Sequence, residues 1–274
     1  KINECLAYES LRLVQNSGIT FEKSVKGKKM ITHTQNLSDQ RTIRQFMGRA
    51  SNIYIIEDNR HKATFLVDCG MWSDKKLLIT ALQAMWPLKR VVCTHFHVDH
   101  ISGWTYLKAI FKKCDICFHE KARPFVMGYQ RIPFPSYADY KDMIIPCMRA
   151  SGYFPRPGDI FMGGLYGTPF KKGFPLDRVT FFKNEEAVLP GFQTIPTSGH
   201  RPESASFFDP KSGILISGDF LVVIKGKLIS NTFVASKKDQ KNSINKIKEL
   251  NGLKYIFPGH GDCVSFSNFI IRSS

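Results

Sequence analysis

Long apolar runs are missing from this chain. The longest nearly uninterrupted one, GILISGDFLVVI at 213–224, carries Asp219 inside it and falls well short of the ~20 residues that cross a bilayer as a helix, which excludes membrane insertion. Cysteine is sparse and odd in number, seven in 274 residues. No disulfide framework follows from that, and a reducing compartment, the cytoplasm, is the expected location. Because the chain opens at Lys1, a removed targeting segment would leave no trace in it. Repeats of solenoid length and low-complexity linkers are also absent, so residues 1–274 are read as one domain. There is neither a Walker loop nor a G-x-S-x-G elbow, which leaves nucleotide-driven and serine-hydrolase chemistry without support.

Acidic residues are in short supply. Against 39 Lys and Arg there are 23 Asp and Glu, for a formal charge of +16, which favours acidic partners or substrates without naming them. The bases are scattered through Lys26, Lys28 and Lys29, Lys112 and Lys113, Lys171 and Lys172, and 237–248. A nucleic-acid groove gathers them on one element with interleaved aromatics, so a solvated lysine-rich surface is the preferred reading.

What is present is the pattern of a layered domain of mixed strands and helices. Residues 1–17 hold Leu6, Leu11, Leu13 and Val14 at helical spacing before an Asn16-Ser17-Gly18 stop. Residues 52–57 and 64–68 bracket a polar tip and read as a hairpin; 75–86 reads as an amphipathic helix stopped by Pro87, and 90–94 as a buried strand. Then follow a helix at 104–112, strands at 115–118, 178–182, 194–196, 206–208, 214–217, 221–224 and 255–257, and a helix at 241–250. Between 122 and 190, Pro, Phe, Tyr, Met and Gly crowd a long stretch of poor periodicity. It is expected to be an inserted lid or substrate-binding segment, with a loop cluster over the core as the plain alternative.

Chemistry concentrates in Thr94-His95-Phe96-His97-Val98-Asp99-His100, four potential metal ligands directly after an apolar strand. His95 and His97, two apart in extended chain, point the same way, while Asp99 and His100 sit where the next helix begins. Three later turns share one design, an apolar run followed by Gly and a ligand: Gly199-His200, Gly218-Asp219 and Gly259-His260. Glycine lets the backbone turn sharply there, and strand ends that converge on one edge are where α/β proteins place their sites. Five His and two Asp are the right number for two metals, each with N/O ligands and an open position for water. The lone Cys114-x-x-Cys117 pair, Cys69 and Cys93 read as packing residues, His119 as a residue near the site but not in it, and His33 and His61 as surface residues.

The T-H-x-H-x-D-H-x-x-G run at 94–103, the Gly-His, Gly-Asp and Gly-His turns and the upstream Asp68-Cys69-Gly70 resemble the metallo-β-lactamase superfamily, from about Met30 to His260. The resemblance implies an α+β fold, the αββα sandwich of two central mixed β-sheets flanked by helices, with a dinuclear metal site at one edge. It implies that His95, His97 and His200 hold one metal and Asp99, His100 and His260 the other, with Asp219 bridging and Asp68 orienting the site through hydrogen bonds. Antibiotic-cleaving members generally carry Cys or Ser where Asp219 sits, which speaks against a true β-lactamase. The nucleases with a second domain inserted before the last His need far more chain than 220–259. Glyoxalase II enzymes share all seven ligands but carry a helical glutathione-binding region after the last His, where only 261–274 follow here. The implied activity is that of the lactonase and thioesterase branch: a hydrolase in which a hydroxide held by two metals attacks an ester, lactone or thioester carbonyl, with Asp219 and Asp99 as the catalytic carboxylates. The alternative is a metal-dependent phosphodiesterase or nuclease acting on RNA or DNA, which a lysine stripe leading to the metal edge would favour. The expected cofactors are two divalent ions, Zn(II) foremost, with Fe(II) or Mn(II) also suited to imidazole and carboxylate ligands. The expected partner is a small-molecule substrate, an anionic one being in keeping with the charge, and nucleic acid is not favoured. Tyr153 and Tyr166 are candidate oxyanion donors, with packing in the lid as the preferred role.

Overall fold

Alternation with period two decides where the strands go. Ile53 and Ile55 face one core while Tyr54 and Ile56 face another, and Leu66/Val67 and Val91/Val92 divide the same way. In the computed structural model the described residues are 19–20, 31–133, 135–151, 157 and 173–266; the helix expected over 1–17 lies outside them, as do Tyr153, Tyr166, Lys171 and Lys172. The first sheet runs in chain order through β1 (Ile19–Thr20), β2 (Ile31–Asn36), β3 (Arg41–Met47), β4 (Asn52–Asp58), β5 (Ala63–Val67), β6 (Leu88–Val92), β7 (Asp115–His119) and β8 (Val179–Phe182). Its first half is an antiparallel meander, and from β5 onward the strands are parallel. The second sheet is built from β9 (Gln193–Pro196), β10 (Ala205–Asp209), β11 (Ile214–Gly218), β14 (Tyr255–Pro258) and β15 (Val264–Ser265), and β12 (Leu221–Ile224) pairs with β13 (Lys227–Ser230) as a separate hairpin.

Between the sheets lie Ile43, Tyr54, Ile56, Val67 and Val92 from one side and Phe207, Ile214, Ile216 and Phe257 from the other. The outer face of the first sheet packs on Leu78 and Leu82 of the helix Lys75–Gln83 and on Trp104 and Leu107 of the helix Trp104–Ile110. Phe208, Leu215 and Ile256 on the outer face of the second pack on Ile247 of the helix Lys237–Lys248. Helix, sheet, sheet, helix is the αββα order expected from the sequence. Among the described residues no helix is long and apolar enough to cross a membrane.

The differences from expectation have local causes. β2 and β3 are unannounced in ITHTQN and RTIRQFM because polar residues occupy both faces and the hairpin turns at Asp39-Gln40, with φ of 65° and 60°, in place of an Asn-Gly pair. The helix expected to reach residue 86 ends at Gln83: Pro87 disfavours helical backbone at Trp86, whose carbonyl instead accepts the Thr64 hydroxyl at 2.8 Å. His33 is half-buried rather than on the surface, its ring edge-on to Phe257 at 5.3 Å. Within 122–190 the chain forms the short helix Arg123–Val126, then Tyr137–Asp139, a π-turn at Tyr140–Ile144 and the helix Ile145–Ser151 in succession, and later β8.

Candidate metal centre

All seven donors picked out in the sequence leave strand ends at one edge of the sandwich. His95 and His97 follow β6, and Asp99 and His100 occupy the first turn of the helix Val98–Ile101. His200 follows β9, Asp219 follows β11 and His260 follows β14. β11 and β14 run parallel with Gly218 beside Pro258, and the Gly259 N–H donates to the Gly218 carbonyl at 2.8 Å, so Asp219 and His260 emerge side by side. Only glycine fits at 259, since a Cβ there would collide with Asp219 Oδ1.

The donors fall into two groups. His95, His97, His200 and Asp219 each offer an atom within 4.8 Å of one another, and so do Asp99, His100 and His260. Asp219 faces both: its Oδ2 lies 3.8 Å from His95 Nε2, 3.7 Å from His200 Nε2 and 3.2 Å from His260 Nε2, and its Oδ1 lies 3.1 Å from His100 Nε2. Asp99 Oδ2 is 3.5 Å from the Nε2 atoms of both His100 and His260.

Hydrogen bonds on the outer side of the rings fix which nitrogen faces inward. His200 Nδ1 donates to the Phe233 carbonyl at 2.6 Å, His260 Nδ1 to the Ala50 carbonyl at 2.8 Å and His100 Nδ1 to Asp68 Oδ2 at 2.8 Å. The Thr94 hydroxyl donates to Asp68, which leaves its oxygen to accept from His95 Nδ1 at 3.0 Å. Four imidazoles therefore turn Nε2 toward the centre, the nitrogen that a metal ion would take. Asp68 also accepts the Thr94 backbone N–H at 2.8 Å, and it does so from a left-handed conformation, φ 62°, a strain that its three bonds hold in place.

The inward atoms fit a cation. His97 Nδ1 sits 3.0 Å from both His95 Nε2 and His200 Nε2, so a single ring proton can bridge only one of the two pairs, whereas a cation could meet all three nitrogens. His100 Nε2 and Asp219 Oδ1 are buried 3.1 Å apart, an imidazole nitrogen and a carboxylate oxygen that only a proton or a metal ion between them can satisfy together. Buried acceptors of this kind cost free energy unless a positive centre meets them.

Charge is distributed to suit. Burial, reinforced by the neighbouring imidazoles, holds His95 and His97 well below the usual histidine range, and burial lowers His200 against the pull of Asp219. Burial also pushes His100 and His260 down, but nearby carboxylates outweigh it, Asp219 foremost, and raise both. Asp219 in turn is driven up by burial and held well below the carboxylate range by His260 and His100.

Over these donors lies a cavity of about 340 Å³. His97, Asp99, Asp219, His260, Asn231 and Phe233 line its polar side, and Ile132, Pro133, Met143, Ile144, Cys147 and Met148 roof it; no Lys or Arg is among the described lining residues. Thr94, the first residue of the 94–103 run, relays Asp68 to His95. Two partners had no signature in the sequence: Asn231 donates to the Asp219 carbonyl at 2.9 Å, and Phe233 stacks parallel to His97 with ring centroids 5.7 Å apart. Their roles run through a bond to backbone and a ring face, neither of which residue type alone announces. The CxxC pair splits between the two cores, where burial pushes the Cys114 thiol up to about 12, and His119 bonds to Asn184 at 2.7 Å, outside the donor cluster.

Five imidazoles and two carboxylates gathered at one edge of an αββα sandwich make the arrangement of a metal-dependent hydrolase. A profile of the metallo-beta-lactamase superfamily matches residues 47–260, and the chain belongs to that superfamily. It is 25% identical over 186 residues to the uncharacterized protein YobT of Bacillus subtilis (strain 168), a match spanning 65% of either chain. Among solved structures it shares its fold with ST1585, an archaeal superfamily member from Sulfolobus tokodaii, at 20% identity, 81% of each chain and a TM-score of 0.55. The BLEG-1 B3 metallo-beta-lactamase matches at 22% identity over 82% of this chain and 95% of that one, with a TM-score of 0.54. TTHA1623, solved in a di-iron-bound form, matches at 22% over 79% and 90%, with a TM-score of 0.53.

Proposed function

We propose that the chain is a two-metal hydrolase of small ester, lactone or thioester substrates. The observation that carries this reading is the roof: an apolar cavity, free of cationic side chains among its described residues, opens directly onto His97, Asp99, Asp219 and His260 of the donor cluster. A phosphodiester would bring charge into that space, whereas an acyl group would bring methylenes that the Ile, Met and Pro side chains can bury. In this reading His95, His97 and His200 hold one divalent ion, Asp99, His100 and His260 the other, and Asp219 both, with Zn(II) foremost and Fe(II) or Mn(II) accommodated by the same N/O set. Two such ions, when bound, acidify a water and polarise a carbonyl oxygen. The residues do the rest. Asp219, held ionised by its imidazole neighbours, keeps the two donor groups in one electrostatic unit. The Asp99 side chain, 23% exposed where that of Asp219 is 8%, faces the cavity, from where it can take a proton from water and return it to the leaving oxygen or sulfur. The roof excludes bulk water from the reacting carbonyl. A cytoplasmic setting goes with the described cysteines being free thiols.

Elemental analysis of reconstituted protein should find about two transition-metal ions per chain, and one or none would remove the dinuclear reading. An activity panel of lactones, thioesters, short and medium acyl esters, a phosphodiester and short RNA decides the substrate class. Carbonyl substrates should turn over, and RNA retention should vanish near physiological salt, as expected for a +16 surface acting through counterion release alone. Metal-dependent RNA cleavage at that salt, abolished in a His95→Ala, His97→Ala double variant, would replace this reading with the nuclease one. Ile144→Ala, which trims the half-buried roof, should lower kcat/KM for a hexanoyl ester about tenfold relative to an acetyl ester at unchanged metal content. Equal losses on both esters would make the roof a structural cover.

A further inference from the structure

The two donor groups share one support, Asp68, which reaches His95 through Thr94 and accepts from His100 directly at 2.8 Å. Beyond it they are held by different parts of the molecule. The first is also fixed by the Phe233 carbonyl. Asp99 and His260 of the second meet one short strip at the entrance to β4. Ala50 offers its carbonyl to His260 Nδ1 at 2.8 Å. The Ser51 hydroxyl donates to the Asp99 carbonyl at 2.6 Å. The Asn52 N–H donates to the Gly259 carbonyl at 2.8 Å, and its side-chain amide donates to the Pro258 carbonyl at 2.8 Å and to the Gly261 carbonyl at 2.6 Å, on the two sides of His260. The Tyr54 hydroxyl adds a second bond to the Pro258 carbonyl, 2.6 Å. Ser51, Asn52 and Tyr54 are 2%, 2% and 1% exposed, so water cannot substitute for these bonds.

We propose that Ser51, Asn52 and Tyr54 are positioning residues for the second metal site alone, a clamp that sets the places of Asp99 and His260 without touching the first site. The proposal rests on the two-metal reading above. Its logic is the number of bonds converging on backbone that carries donors. Three carbonyls around His260 and one at Asp99 are fixed by a strip more than forty residues earlier in sequence than Asp99, and every side chain in the strip has its donors committed to those carbonyls. None is left to meet substrate. A clamp of this kind acts on where a ligand stands, and partners that orient metal ligands are typically worth about 10–100-fold in metal affinity.

The test is stepwise titration of the metal-free full chain with Co(II), followed by its visible absorption, alongside thermal unfolding. His260→Ala identifies the step that belongs to the first site, since that step survives in it. Ser51→Ala and Tyr54→Phe each remove one hydroxyl and keep the shape of the core; each should weaken the second step about tenfold and leave the first within about twofold. Asn52→Asp, which loses the donors to both carbonyls, should weaken the second step by about a hundredfold. If Ser51→Ala and Tyr54→Phe bind both equivalents as wild type does, the clamp is refuted and the two-metal reading stands. If both steps weaken together with a drop in melting temperature, the strip is a general structural tie and the proposal also fails. A wild-type chain that takes up a single equivalent overturns the two-metal reading, and this inference with it.

Discussion

Asp219→Asn is expected to lower kcat by about a thousandfold, roughly 4 kcal/mol of barrier, while the fold survives. Its two oxygens lie within 3.8 Å of Nε2 atoms from His95, His100, His200 and His260, more donors than any other residue in the cluster reaches. An amide in its place keeps the volume and removes the charge. One of its two atoms becomes a donor aimed at nitrogens that can present a lone pair inward, so one imidazole gains a hydrogen bond while two metals held there, as proposed, would lose their shared anion. Loss of the second metal should accompany the fall in rate, read by elemental analysis and by turnover at saturating metal. A variant with near-normal kcat would rule out a bridging role for Asp219.

A second large effect should come from far outside the site. Asp209 and Arg41 are fully packed, 0% and 4% exposed, and join the two sheets through a 3.0 Å ion pair. Arg41 also donates to the Pro190 carbonyl at 2.7 Å, and Asp209 accepts from Ser212 and Lys211. Asp209→Ala would leave a buried guanidinium without its counter-ion, which typically costs about 3–5 kcal/mol. Urea unfolding should record that loss as a lower midpoint at unchanged slope, and Asp209→Asn, which removes the charge but keeps an acceptor oxygen for the guanidinium, should lose somewhat less. A loss under about 1 kcal/mol for Asp209→Ala would mean that the pair behaves like a surface one.

That ion pair also marks where sequence stops being informative. Arg41 and Asp209 are 168 residues apart, and a charged residue in a hydrophilic stretch reads as solvated whether or not a partner waits across the fold. The seven converging residues were legible for the opposite reason: each lies in the segment that leaves an apolar strand, marked by a local cluster of histidines or by a preceding glycine. The central strands were legible because one residue faces each core in turn, as in Ile53 to Ile56. The roof was not. Pro146 sits within its helical run, where a proline argues for a break, and the chain continues only because a π-turn at Tyr140–Ile144 precedes it and relieves the hydrogen-bond register. Nor were Ala50 and Phe233, which act through carbonyl groups that every residue possesses.

The parallel pairing of β11 with β14 has a consequence for how the protein comes into being. His95, His97 and Asp99 leave the ribosome early, but the second sheet that carries the remaining donors is completed only when β14 docks beside β11, with His260 just beyond it. At about 5–20 residues per second the interval is on the order of ten seconds or more. Through that time the nascent chain displays an incomplete chelate, able to touch a metal ion but not to enclose it. Tight loading then coincides with closure of the last strand, so a bound ion links early and late segments of the chain. Dissociation of β14 would have to break that link, and the loaded protein should therefore unfold far more slowly than its metal-free form.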